Sequence, residues 1–184
     1  MRVLVSREQI ALRVRELGMQ IADDVRRDIE RDGRDDASAE VVLIPILTGA
    51  IVFVADLIRE MPLKMSLRLV AVSSYPGTSM QSKGAILRSE LPNDLRGRHV
   101  LIIDDILDSG QTLATVRDLI LEQRPSSLRI CVLLRKDVPK RVVDVKAHYV
   151  GFDIANEFVV GYGLDYDGYY RNHPEVVVIE SQRE

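Results

Sequence analysis

The chain contains a single cysteine, Cys131, so no disulfide can form within it; the surrounding run Ile130-Cys-Val-Leu-Leu134 reads as the setting of a buried core thiol. No apolar stretch approaches the roughly 18 residues of a membrane span. The sequence also lacks a signal-peptide pattern, a low-complexity tract and an internal repeat, so a cytoplasmic location is expected. Neither sign of charge dominates. A formal net charge of −3 offers no general attraction to nucleic acid or to an anionic membrane. The Gly-x-x-x-x-Gly-Lys pattern of a Walker A loop is missing too. What is present is the composition of an ordinary globular protein, 46% hydrophobic and 29% charged over 184 residues. That length fits one domain with a sizeable core.

The stretch Val100–Thr112 organises the rest, because an apolar run ends in Asp104, Asp105 and Asp108 and a small Ser-Gly turn. Residues 99–103 suit a buried parallel strand, and 112–123 carry apolar residues at helical spacing. Asp104–Thr112 is therefore expected to be a strand-to-helix loop. In open α/β sheets ligands bind beyond the carboxyl ends of strands, and a helix N-terminus offers unpaired N–H groups to anions. The small residues Ser109 and Gly110 would let backbone N–H groups close on a phosphate. Three carboxylates beside such a cradle repel an anion unless they bind hydroxyls, a metal such as Mg²⁺, or a proton. The spacing of the acids also occurs in prenyl-diphosphate synthases, but there it belongs on a helix. A receiver domain does not place its acceptor in an Asp-Ser-Gly-x-Thr turn. The segment closely resembles the phosphoribosyl-diphosphate loop of the type I phosphoribosyltransferases: a strand, two acidic residues, two apolar residues, then Asp-Ser/Thr-Gly-x-Thr.

Taken in order, Ser6-Arg-Glu-Gln9 reads as a capping box, followed by Ile10, Val14, Leu17, Ile21, Val25 and Ile29 at helical spacing to about Arg31. Val41–Leu47 is a second strand, in which Pro45 requires an edge or a distortion. Thr48-Gly49-Ala50 then opens a helix over Ile51–Glu60, and its small residues fit a simple cap as well as a ligand turn. Leu67–Ser74 is a third strand. The Gly-, Ser- and Pro-rich stretch Tyr75–Gly84 reads as a mobile loop, either a lid or a plain connection. Leu128–Leu134 is a further strand with Arg135 and Lys136 at its end, a charged connection covers 137–147, and strands are expected within 149–154, 158–163 and 176–179. Asp165, three tyrosines and Arg171 cluster in 164–171, which on its own reads as packing or a subunit contact.

Phe158-Val-Val-Gly-Tyr-Gly-Leu-Asp-Tyr166 followed by Arg171 looks like the C-terminal hood of the hypoxanthine-guanine phosphoribosyltransferases. Leu133-Leu-Arg-Lys136 looks like their Leu-Leu-x-Lys, Ser73-Ser-Tyr75 like the start of their flexible loop, and Leu47-Thr-Gly-Ala50 like their pyrophosphate loop. The resemblance implies an α/β fold: a mostly parallel twisted sheet flanked by helices, with a small hood built from both ends of the chain. It also implies one domain over 1–184, with a core of about 38–150 and hood elements from the N-terminus and about 151–184. The implied activity is transfer of the 5-phosphoribosyl group from phosphoribosyl diphosphate to hypoxanthine or guanine, with Mg²⁺ as cofactor, in a homodimer or homotetramer with no nucleic-acid or membrane partner. By the same resemblance Asp104, Asp105, Asp108, Ser109, Gly110, Gln111 and Thr112 would hold the phosphoribosyl group. Asp108 would be the catalytic base, and Thr48, Gly49 and Arg171 would meet the pyrophosphate. Lys136, Phe158, Val159 and Asp165 would bind the purine, and Ser74 and Tyr75 would belong to a lid. Asp104, Asp105 and Asp165 would be metal ligands. Alternatives of the same fold are a phosphoribosyl-diphosphate-binding regulator of the RNA attenuator type and a xanthine-preferring enzyme.

Overall fold

Ser6 starts the first helix through a reciprocal cap: its hydroxyl accepts from Gln9 N at 3.3 Å, and Gln9 Oε1 accepts from Ser6 N at 2.9 Å. Helix α1 then runs Arg7–Arg31 and buries Ile10, Val14, Leu17, Ile21, Val25 and Ile29, the stripe expected from the spacing. The computed structural model describes residues 1–35, 40–73, 86–87 and 90–179. The expected lid residues Ser74 and Tyr75 lie outside them.

The main sheet is built from strands β2 (Val41–Leu47), β3 (Met65–Leu67), β4 (Val70–Ser73), β5 (Ile86–Leu87), β6 (His99–Leu107), β7 (Ser127–Lys136) and β8 (Tyr149–Ile154), in the order β5-β4-β2-β6-β7-β8 with β3 also on β2. All pairings are parallel except β4 with β5. Helices α2 (Ile51–Leu57, followed by a 3-10 turn over Ile58–Glu60) and α3 (Gln111–Leu121) provide the crossovers. Successive side chains on a strand face opposite sides, and the core divides accordingly. Leu43, Leu101, Ile103 and Leu133 pack with α1 and α2, whereas Val42, Val100, Ile102 and Val132 pack with α3. The expected α/β architecture of a mostly parallel sheet flanked by helices is what the chain adopts.

Several boundaries differ from the sequence expectation. The single strand expected over Leu67–Ser74 is two, because β3 pairs with Val41–Leu43 and β4 with Ile46–Leu47. Pro45, which has no N–H to give, stands where this flank of β2 changes partner, so the distortion falls beside an interior strand. Strand β6 continues through Asp104 and Asp105 to Leu107, and β7 continues through Arg135 and Lys136. Backbone pairing carries on after the apolar run stops, as Asp104 opposite Val132 and Leu107 opposite Arg135 show.

The hood is a second, antiparallel sheet, β1 (Arg2–Val5), β10 (Val176–Val178) and β9 (Val159–Val160) in that spatial order, so the two ends of the chain meet beside the residues of 158–171. On the far edge of the main sheet Arg13 of α1 donates to the carbonyls of Val150 (2.8 Å) and Gly151 (3.0 Å), which satisfies polar backbone on the outermost strand β8. Among the described residues no helix is long and apolar enough to cross a membrane.

Candidate active site

The carboxyl ends of β2, β6 and β7 and the hood turn bring most of the singled-out residues to one rim. Asp104 and Asp105 follow the apolar run of β6, Asp104 buried and Asp105 half-buried. Asp104 Oδ1 accepts the Asp105 N–H at 3.0 Å. Burial and the neighbouring Asp105 push the Asp104 carboxyl well above the usual carboxylate range. Burial also raises Asp105, with hydrogen bonds and the positive charge of Arg171 working against it. Together they are a carboxyl pair whose charged form is disfavoured by burial, and which a cation or hydroxyl donors would satisfy.

Asp105 continues the strand alternation onto the α2 side, against the turn Thr48-Gly49-Ala50. A methyl group on Gly49 would overlap the Asp105 carboxylate, and one on Gly163 would overlap the Gly49 carbonyl. Only glycines allow the β2 turn, the β6 acid and the hood turn to approach this closely. The peptide bond Leu47-Thr48 is cis. Arg171 joins the same group: it pairs with Asp165 at 2.8 Å and donates to Gly163 O at 2.6 Å. The second oxygen of Asp165 accepts from Gly168 N at 2.7 Å. The residues expected at pyrophosphate, ribose and metal thus surround one space.

The turn after β6 is shorter than expected, only Asp108-Ser109-Gly110, since α3 begins at Gln111. Gly110 precedes the helix with φ +80°, and a methyl group there would overlap the Val143 carbonyl. Ser109 Oγ accepts from Gln111 N at 3.4 Å, and Ser109 O accepts from Val143 N at 3.0 Å. The turn therefore lies against the 137–147 segment while its N–H groups remain at a helix start, the arrangement that suits an anion. Asp108 is exposed at the tip of this turn, Ser109, Gln111 and Thr112 half-buried behind it.

Lys136 reaches back from the end of β7 to Asp108, with Nζ 2.8 Å from Oδ2; its side chain is 12% exposed against 51% for Asp108. This pairing was not legible in the sequence, where the two residues are 28 positions apart. Nor was the contribution of Arg141. Its guanidinium donates to the carbonyls of Leu107 (3.1 Å), Asp108 (2.7 Å) and Lys136, and so ties the ends of β6 and β7 together. In sequence Arg141 is one charge in a charged connection, with no spacing to single it out. Phe158 is 51% exposed and meets Tyr166 edge to face, centroids 5.5 Å apart, while Val159 is buried in β9.

Residues 15–167 match the Phosphoribosyl transferase domain family. The chain belongs to this family. Among its relatives, the hypoxanthine-guanine phosphoribosyltransferase of Mycobacterium avium is 46% identical over 171 residues, which are 92% of this chain and 81% of that protein. The hypoxanthine phosphoribosyltransferase of Escherichia coli is 37% identical over 174 residues, 95% of this chain and 92% of its own. A solved structure of the hypoxanthine phosphoribosyl transferase of Trypanosoma cruzi superimposes with a TM-score of 0.86 at 35% identity, covering 97% of this chain and 91% of that one.

Proposed function

We propose that this phosphoribosyltransferase serves purine salvage, moving the 5-phosphoribosyl group from phosphoribosyl diphosphate to hypoxanthine or guanine to give IMP or GMP and pyrophosphate. The observation that carries the reading is the Lys136–Asp108 pair. On a 6-oxopurine the 6-oxygen and N7 lie on the same edge of the ring. An ammonium and a carboxylate already 2.8 Å apart match that edge, the cation donating to the oxygen and the carboxylate receiving the N7 proton. Adenine would put an amino group, itself a donor, against Lys136.

The remaining roles follow from position. Backbone N–H groups from Asp108 to Thr112, with the Ser109 and Thr112 hydroxyls, hold the 5′-phosphate at the start of α3. Thr48, Gly49 and Arg171 meet the pyrophosphate, Arg171 because its fork matches phosphate oxygens. Phe158 stacks on the purine, and the Val159 backbone hydrogen-bonds its edge.

The residues also fit Mg²⁺. Among the described residues no three His, Cys, Asp or Glu side chains form a closed metal cage. Magnesium takes few protein carboxylates and keeps waters and substrate oxygens as its other ligands. Asp104 and Asp105, whose burial makes an uncompensated carboxylate pair unfavourable, would hold one ion with the ribose hydroxyls, and Asp165 another with the pyrophosphate. Bound there, the metal would neutralise charge developing on the departing pyrophosphate. We place the enzyme in the cytoplasm as a homodimer or homotetramer. The regulatory alternative is disfavoured because the relatives are named as transferases.

The test is Mg²⁺-dependent pyrophosphate release from phosphoribosyl diphosphate with hypoxanthine, guanine, xanthine, adenine, uracil and orotate compared side by side. Turnover confined to hypoxanthine and guanine is expected. Xanthine as the best acceptor would establish the altered preference, and binding without turnover would sink the salvage reading.

A further inference from the structure

Tyr162 holds an unusual position in the hood. It is a non-glycine residue with φ +50°, only 6% exposed, between Gly161 and Gly163. Its backbone N–H donates to His173 O at 2.7 Å, and the next residue, Gly163, donates to Arg171 O at 3.0 Å. The phenol leaves the hood altogether and donates to Asp56 Oδ2 of α2 at 2.6 Å. The other Asp56 oxygen pairs with Arg59. Burial and the Asp56 acceptor push the phenol well above its ordinary range, so it stays a hydrogen-bond donor.

The bond joins two elements that the chain connects only through 106 residues. Helix α2 starts immediately after the Thr48–Gly49 turn, and the residue following Tyr162 is the Gly163 that rests on the Gly49 carbonyl. Arg171 and Asp165 are fastened to the same hood segment through Gly163 O and their ion pair. A left-handed backbone at a residue with a side chain is unfavourable, and persists where surrounding contacts over-determine it. Here those contacts run to the turn that the site needs close by.

We propose that Tyr162 is a positioning residue: through its hydrogen bond to Asp56 it sets the spacing between the Thr48–Gly49 turn and the hood residues that receive the purine. The inference rests on the substrate reading above. Neither Tyr162 nor Asp56 touches the substrates in this account. Both act through the turns to which they are attached.

Tyr162→Phe keeps the buried ring and removes only the donor. The KM for phosphoribosyl diphosphate and for hypoxanthine is expected to rise about tenfold, the scale of losing one hydrogen bond to a carboxylate, with a smaller change in kcat. Asp56→Asn still offers an amide oxygen to the phenol and should stay close to the unmodified protein, whereas Asp56→Ala should reproduce Tyr162→Phe. The double variant Tyr162→Phe with Asp56→Ala should be no worse than either single change. Folded variants with a lowered Tm but both KM values unchanged would reduce the contact to ordinary packing, and additive KM effects would likewise overturn the proposal. Phosphoribosyl diphosphate binding is titrated on the same set. The latch can then be read even if no 6-oxopurine is turned over, a result that would remove the substrate assignment alone.

Discussion

Replacing Gly110 by alanine should damage stability and substrate binding together, because this residue both precedes α3 and docks the Asp108–Gly110 turn proposed to hold the 5′-phosphate. Its φ of +80° lies in the left-handed region, where a Cβ costs about 1–2 kcal/mol. The new methyl group would also sit closer than 3.0 Å to the Val143 carbonyl, backbone that cannot swing aside as a side-chain tip does. Relieving such a clash costs about 1–3 kcal/mol more, for a total of about 2–5 kcal/mol. For a chain of this size about 1 kcal/mol moves Tm by about 2–4 °C, so a fall of about 4–20 °C is expected. The relief must push the Asp108–Gly110 turn away from the 137–147 segment, where Val143 N holds Ser109 O. A displacement of about 1 Å at reacting groups costs about a hundredfold in rate. Gly33→Ala is the control: φ there is +69° with nothing within 4 Å of the added carbon, so only the backbone cost of about 1–2 kcal/mol applies and substrate binding is untouched. Thermal unfolding and phosphoribosyl diphosphate titration on both variants decide the matter. A Gly110→Ala protein that melts no lower than Gly33→Ala and binds phosphoribosyl diphosphate normally would mean that the Val143 contact does not constrain this turn.

Asp108→Asn should lower turnover by about 10²–10⁴-fold, the range of a lost general base, while phosphoribosyl diphosphate binding persists; undiminished turnover would remove Asp108 from proton transfer. Lys136→Gln should weaken binding of hypoxanthine and guanine by more than that of phosphoribosyl diphosphate, read by titration with each ligand; equal affinities would make Lys136 a structural partner of Asp108 only. At the opposite end of β6, His99 is 2% exposed, its Nδ1 is 3.0 Å from Ser127 Oγ, its Nε2 has no hydrogen bond among the described residues, and Asp32 stands 3.6 Å away. Burial lowers its pKa below 6.5, with Asp32 and Asp28 acting the other way and Arg34 and Arg129 adding to the fall. Protonation then favours the unfolded chain. The stability contribution is complete above pH 6.5 and drains away as pH falls through the depressed folded-state value. His148 shifts in the same sense. The specific expectation is therefore that His99→Gln flattens the decline of Tm as pH falls below 6.5, and an unchanged slope would count against it.

Elements with a local cause were legible in the order of residues alone. The Ser6–Gln9 cap and the stripe from Ile10 to Ile29 specify α1, because helix periodicity and capping are settled within a few residues. The apolar runs at 41–47 and 99–103 specify buried strands, and the small Ser109-Gly110 pair marks the turn between β6 and α3. The ends of β6 and β7 were not local. Asp104, Asp105, Arg135 and Lys136 have side chains that end a hydrophobic run, yet their backbones stay in the ladder because the neighbouring strand supplies partners. The same holds for the split between β3 and β4, which answers to Pro45 on a strand more than twenty residues earlier in the chain. Only the tertiary structure could place Lys136 on Asp108, Arg141 on three carbonyls, Gly163 on Gly49 and Tyr162 on Asp56. Contacts such as Lys136 to Asp108 across 28 residues and Tyr162 to Asp56 across 106 leave no periodic trace in a single sequence, since each partner is chosen by how the strands and the hood converge.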